Sequence, residues 1–276
     1  MAAAGYAGTE LGDWGFLPTD PAALAADLAR RQLALVAAFV PIALARPEAI
    51  DEGVARVVRT ARLLDEACRA GATGPVGPAP LLVLADDNAS VPNRTARAGR
   101  IREADGLTPQ QWDAFAQRAE RVAAAVRDGA GLRTVFHHHC AGYVETPEEI
   151  DALLSRTDPS LLGLCLDTGH LTFAGGDPVD ALSHYGDRIW HVHFKDCEPA
   201  IAAQSRVEGW DYHTAVRRGI FCELGRGMVP FGRVLDLLRA RDYAGWIVVE
   251  QDVLPGLGTP AASATRNRAY LGRLGI

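Results

Sequence analysis

None of the five cysteines (Cys68, Cys140, Cys165, Cys197, Cys222) forms a CxxC pair, and their number is odd. That usage speaks against a disulfide framework and predicts reduced thiols in a cytoplasmic setting. No apolar run approaches the length of a membrane span, and residues 1–5 lack the basic start and long apolar stretch of a secretory signal. A soluble intracellular chain without a membrane partner is therefore expected. Excess positive charge is missing too: 28 Lys and Arg against 34 Asp and Glu give a formal net charge of −6, which argues against nucleic acid as a partner. No glycine-rich dinucleotide fingerprint opens a helix, and no spacer marks a second domain. Small-molecule chemistry is the class these absences leave.

What the chain does have is regular punctuation. With 276 residues, 48% of them hydrophobic, it can bury one large core. A capping residue precedes proline at Asp20-Pro21, Thr108-Pro109, Thr146-Pro147, Asp177-Pro178 and Thr259-Pro260. Proline fits the first helical turn, where its missing N–H is not needed, and the preceding Asp or Thr can accept a free amide. Gln111 and Glu149 complete capping boxes. Helices are predicted over about 20–31, 47–70, 108–129, 146–155, 177–184, 230–241 and 259–273. Short apolar runs without helical period lie at 33–44, 80–85, 132–139, 161–166, 189–194 and 245–250, with a weaker one at 8–11.

This alternation predicts parallel βαβ units in one domain, residues 1–276, and favours a (β/α)₈ TIM barrel over an open doubly wound sheet. Residues 1–6 read as the last turn of a helix ending at a glycine cap, with a strand following at once. The first strand and most of the first helix of an eightfold barrel are thus expected to be absent. A natural seven-stranded or open barrel with unpaired edges is the alternative.

In a barrel, chemistry collects at the C-terminal strand ends. Four successive strands here end in Phe136-His-His-His139 followed by Glu145, in Asp167 and His170, in His191-Val-His193-Phe-Lys195-Asp196, and in Val249-Glu250-Gln-Asp252. Alternation places His137 with His139 on one inward face, His191 with His193 and Lys195 on another, and Asp167 with Cys165, leaving Leu164 and Leu166 for the helices. Buried carboxylates repel one another unless a cation joins them. Glu145, Asp167, His193 and Glu250 are the expected ligands of one divalent ion, and this oxygen-rich set suits Mn²⁺, Mg²⁺ or Co²⁺ better than a closed thiolate zinc site. Singly, each residue has a structural explanation. Asp167 could cap the next turn while His170 satisfies a carbonyl, Lys195-Asp196 could be a surface ion pair, and Glu250 could pair with an arginine. The segment 197–228, with Trp210 and Tyr212, is a long βα loop expected either to cover the mouth or to support a subunit contact.

The order Glu145, Asp167-Thr-Gly-His170, His191-Val-His193, Gly225-Arg-Gly227, Glu250 resembles the xylose isomerase-like TIM barrels, which include ketose 3-epimerases, sugar isomerases and a DNA-repair endonuclease. Within that group, Tyr143-Val-Glu-Thr-Pro147, Gly163-Leu-Cys-Leu-Asp-Thr-Gly-His170, His191-Val-His-Phe-Lys-Asp196, Phe221-Cys-Glu-Leu-Gly225 and Gly245-Trp-Ile-Val-Val-Glu-Gln-Asp252 are similar to the myo-inosose-2 dehydratases, as is Gly8-Thr-Glu-Leu-Gly12. The chain departs from them at Val229-Pro-Phe-Gly232, where they carry an acidic residue before the phenylalanine.

The resemblance implies metal-dependent dehydration of 2-keto-myo-inositol, a hydro-lyase reaction of inositol catabolism, with Mn²⁺ or Co²⁺ as the first choice and Mg²⁺ or Zn²⁺ as alternatives. It implies proton-transfer roles for Glu145, Glu250, His170 and Lys195, and substrate contacts for His139, His191, Glu10 and Arg226. A homodimer is compatible with the family. A ketose epimerase or isomerase remains the alternative activity, with a zinc nuclease and a non-catalytic binding barrel as more distant ones.

Overall fold

All five proline-led helix starts form as their capping chemistry dictates in the computed structural model, which describes every residue except 73–76, 255 and 257. Asp20 accepts the Ala23 amide at 2.8 Å, and Thr108 and Thr146 close two-way boxes with Gln111 and Glu149. Asp177 and Thr259 accept the Val179 and Ala262 amides. The helices that result are Pro21–Arg31, Pro109–Ala130, Pro147–Leu154, Pro178–Tyr185 and Pro260–Arg273. Each such cap contributes about 1 kcal/mol. The predicted helix at 47–70 is a 3₁₀ turn, Pro47–Ala49, running into Ile50–Ala67. Phe231–Ala240 begins at Pro230 with no side-chain cap, at the place where the acidic residue is lacking.

Between the helices lie the strands β1 (Gly8–Thr9), β2 (Ala34–Leu35), β3 (Ala37–Ile42), β4 (Leu81–Asp86), β5 (Thr134–His137), β6 (Leu162–Asp167), β7 (Ile189–Phe194), β8 (Asp196–Cys197), β9 (Phe221–Cys222) and β10 (Ile247–Val249). A six-stranded parallel sheet runs β10-β7-β6-β5-β4-β3, and β1 pairs in parallel with β2, which leads through Val36 into β3. The Leu11 amide donates to Ala37, extending that edge. The result is a curled α/β sheet with seven strand positions, in agreement with the barrel expectation.

A seam remains between β1 and β10. Among the described residues no pairing joins them, and a cavity of about 220 Å³ lies there, lined by Gly8, Glu10, Trp246 and Val248 among others. The turn Ala2–Ala4 ends at Gly5 with φ 92°, a left-handed cap directly before β1. No described helix is long and apolar enough to cross a membrane.

Sheet alternation divides the core. Leu164 and Leu166 of β6 join Phe115, Val122 and Ile150 in the large layer between sheet and helices. Cys165 faces the other way and packs with Val83 and Val135 inside the curl. A third cluster roofs the C-terminal rim. The loop 197–228 forms the antiparallel pair β8–β9 and two helices, Pro199–Glu208 and Tyr212–Arg217, and it buries Tyr212, Ile220 and Phe221 against Cys140 and Phe173. The segment thus sits over the C-terminal rim.

Candidate functional site

Register decides which polar side chains meet. His137 of β5 is level with Cys165 of β6, Cys165 with His191 of β7, and Asp167 with His193. His193 is level with Val248 of β10, and the Glu250 amide donates to Phe194 at 3.0 Å, which brings the Glu250 side chain to the same rim. The inward residues therefore rise in steps around the curl.

Four of them converge. His137 Nε2 is 3.6 Å from Asp167 Oδ2, His193 Nδ1 is 3.9 Å from the same oxygen, and His193 Nδ1 is 2.8 Å from Glu250 Oε1. One donor atom from each of His137, Asp167, His193 and Glu250 lies within 4.8 Å of all the others. Both nitrogens of His137, Asp167 Oδ2 and His193 Nδ1 are buried without a hydrogen-bond partner, the Glu250 approach being outside hydrogen-bond geometry. Unpartnered buried donors are costly, so their convergence is the mark of a group they would ligate. Two nitrogens and two oxygens in a partly open cluster fit a divalent transition ion with positions left for another ligand. Burial pushes the Cys165 thiol, which lies beside His137 and His193, up to about 12.

Asp167 meets both of the readings its sequence allows. Its Oδ1 accepts the Gly169 and His170 amides, each at 2.8 Å, and so caps the helix Thr168–Phe173, while its Oδ2 is left facing the two imidazoles. Burial works against its ionisation, but the His137 imidazole 3.6 Å away and the Lys195 charge outweigh that and lower its pKa. Burial opposes the Glu250 charge as well, and Lys195 and His193 hold its pKa well below the usual range.

Glu145, expected among the ligands, stands apart from the converging group in this structure. It lies outside this cluster: Oε1 accepts the Gly99 amide at 2.7 Å and Oε2 accepts the Ala141 amide at 2.8 Å. Both oxygens are thus engaged with backbone, and burial raises the carboxyl to about 7. The loop that carries it includes Ala141 and Val144 with φ of 72° and 68°, unusual for non-glycine residues, and is fixed from the far side by Arg94. Arg94 grips Glu149 through two bonds of 2.7 and 2.6 Å and also donates to the Gly142 carbonyl, while Glu149 accepts the Glu145 amide. The place expected for Glu145 among the converging donors is taken by His137.

Lys195 and His170 flank the cluster. Lys195 Nζ is 3.0 Å from Glu250, 3.3 Å from Asp252 and 3.3 Å from His170 Nε2. Burial would lower its pKa, but Glu250, Asp252 and Asp167 reverse the sign and keep the ammonium charged. A Cβ on Gly169 would come within 2.6 Å of the Lys195 chain, so only glycine lets this lysine lie along the helix start. His170 is held neutral, far below its ordinary pKa, by burial and by its neighbours His139 and the charged Lys195. Its ring stands 3.9 Å from that of His139, which burial pushes down to about 3, and Tyr212 from the roof stacks on His170 and meets His139 edge-on.

The other expected residues are dispersed. Glu10 and His191 meet each other on the inner side of the cluster, at 2.8 Å. Arg226 is mostly exposed and turned to Glu223, away from the converging donors. Asp196 is fully buried, not in a surface ion pair: it accepts the Cys197, Gly225, Gly227 and Val229 amides and shapes the glycine turn. Sequence reasoning did not place His137 in the converging group, although its inward parity with Val135 signalled it. It gave Asp252 no role, although Asp252 shares parity with Glu250 at the same polar strand end, and it passed over the Arg94 clamp, for which no local signal exists.

Comparison with known proteins places this geometry. Residues 1–271 match the family described as xylose isomerase-like TIM barrel. The inosose dehydratase of Geobacillus kaustophilus is 32% identical over 99% of the chain and 85% of that protein. That of Lacticaseibacillus casei is 31% identical over 98% of the chain and 86% of its own length. Among solved structures, the 3-keto-D-glucoside 4-epimerase of E. coli superposes with a TM-score of 0.69 at 17% identity, covering 99% of the chain and 91% of the epimerase, a likeness of fold alone.

Proposed function

The chain belongs to the xylose isomerase-like TIM barrels and, within them, to the inosose dehydratases; from that premise we propose that it dehydrates 2-keto-myo-inositol to a trihydroxycyclohexane-1,2-dione, using a divalent cation held by His137, Asp167, His193 and Glu250. The observation that carries the cation is the set of converging, unpartnered donors. Mn²⁺ or Co²⁺ suits that set and, when bound, would supply Lewis acidity to the ketone and so acidify the neighbouring C–H.

The chain's own residues then divide the proton work. Lys195 is charged and can give a proton to the departing hydroxyl, and the Glu250 carboxylate beside it can accept the α-proton, so that the C–H and C–O bonds break with loss of one water; the neutral His170, whose Nδ1 accepts the Cys140 amide, keeps its proton on Nε2 and can donate it to a substrate oxygen. The 3.0 Å contact between Glu250 and Lys195 lets the proton taken by one be returned through the other. Glu250 and Asp252 keep Lys195 charged and in place. His139, stacked on His170, orients that ring, and Tyr212 with its apolar neighbours closes the mouth to water. The partner this pocket suits is a small polyol ketone, and the reaction belongs among the hydro-lyases.

Mixing the purified, Mn²⁺-loaded protein with 2-keto-myo-inositol and following the ultraviolet absorbance of the dione tests the reading. A steady rise supports it. Folded, metal-loaded protein that gives no absorbance overturns it, and exchange of the α-proton with solvent deuterium without absorbance would reassign the activity to a ketose epimerase.

A further inference from the structure

One carboxylate oxygen makes two bonds to imidazole at the inner wall of the site. Glu10 follows directly on β1, and its Oε1 is 2.8 Å from His191 Nε2 and 2.9 Å from His193 Nε2. The two histidines are two apart on β7 and point to the same side, and both rings are fully buried. A single carboxylate oxygen within hydrogen-bond distance of two ring nitrogens accepts from both, so each ring turns its Nε2–H toward it.

That condition has a consequence for His193. With its Nε2 proton committed to Glu10, the ring meets the cluster through Nδ1, the atom 2.8 Å from Glu250 and 3.9 Å from Asp167. A half-turn of the ring would break the Glu10 contact and replace Nδ1 by a carbon. Histidines that bind metals generally give their second N–H to a carboxylate, which fixes the tautomer and strengthens the ligating nitrogen. We infer that Glu10 is a positioning residue of the cation site: it selects the His193 tautomer that presents Nδ1 and locks that ring against His191. This inference rests on the cation-binding reading above and is independent of which substrate is turned over. It also gives β1, a strand two residues long on the open seam, a direct line to the reaction centre.

The test compares wild type with Glu10→Gln. Mn²⁺ affinity, read from free-ion EPR during titration, is expected to fall roughly 10- to 100-fold with one ion per chain retained. Unchanged affinity with a raised KM would make Glu10 a substrate contact and overturn the inference. So would two ions per wild-type chain falling to one, because Glu10 would then be a ligand itself. Should Glu10→Gln fold poorly, wild type alone decides: two-dimensional ¹H–¹⁵N spectra of the histidine rings must show protonated Nε2 in both His191 and His193, with and without Zn²⁺, and a Zn²⁺-loaded His193 carrying its proton on Nδ1 rules the inference out. Wild type that binds no Mn²⁺ or Zn²⁺ refutes the cation reading instead, a failure the titration separates from the others.

Discussion

Two buried charged clusters stand within one rim of this protein, and they are built on opposite terms. Around Arg94, Glu149 and Glu145, both carboxylates and the guanidinium are matched to donors or acceptors of the chain itself: a two-pronged ion pair, a Gly142 carbonyl and the amides of Gly99, Ala141 and Glu145. Around His137, Asp167, His193 and Glu250, four donor atoms approach one another and three of the residues keep buried atoms without partners. Residue type does not separate the two. Saturation does: a buried charge whose bonds are all made is structural, and one left open is directed at something else.

The comparison breaks most sharply at His137. His137→Ala is expected to abolish stoichiometric Mn²⁺ binding and turnover while far-UV circular dichroism is retained, as metal analysis after gel filtration would report; a full complement of metal in this variant refutes the ligand set. The opposite effect is expected from Arg94→Met, which strands a buried Glu149. It should lose about 3–5 kcal/mol of stability in urea unfolding, yet still bind one ion where it is folded. Glu145→Gln should cost about 1–3 kcal/mol by leaving one amide unmatched, again with one Mn²⁺ per chain; loss of the ion would return Glu145 to the ligand list.

Protons sharpen the contrast further. Burial would lower the His193 pKa, but the Glu250 and Glu10 carboxylates hold it well above the ordinary value, so without metal the ring is protonated at neutral pH. Binding a cation at Nδ1 then expels one proton, and affinity should rise about tenfold per pH unit. A pH-independent affinity between pH 6 and 8 would contradict that. The smallest effect belongs to Arg226→Ala, because the side chain is 72% exposed: a change in stability within about 0.5 kcal/mol is expected, with metal content unaltered.

Much of this was legible from local chemistry. The five Asp-Pro and Thr-Pro helix starts were, because a cap and its first turn are set by neighbours three residues apart. The inward parity of Asp167, His191 and His193 was, because strand alternation is a backbone property. The helices Pro92–Arg97 and Thr168–Phe173 were not: the first has no side-chain cap, and the second exists because Asp167, buried at a strand end, turns one oxygen back onto its amides. The placement of Glu145 was not legible, because its position along the chain, a few residues beyond a strand, says nothing of the loop's left-handed turns at Ala141 and Val144, which carry it to Gly99.

The sequence by itself determined the alternating parallel architecture, the polar rim at four strand ends, and three of the four converging residues, because periodicity, caps and side-chain parity are short-range and depend on the backbone alone. Tertiary structure decided the fourth. Whether His137 or Glu145 completes the set depends on register between β5 and β6, and on which donors reach each carboxylate from residues 46 or more positions away. Those long-range contacts turned one acid into a brace and left an imidazole open.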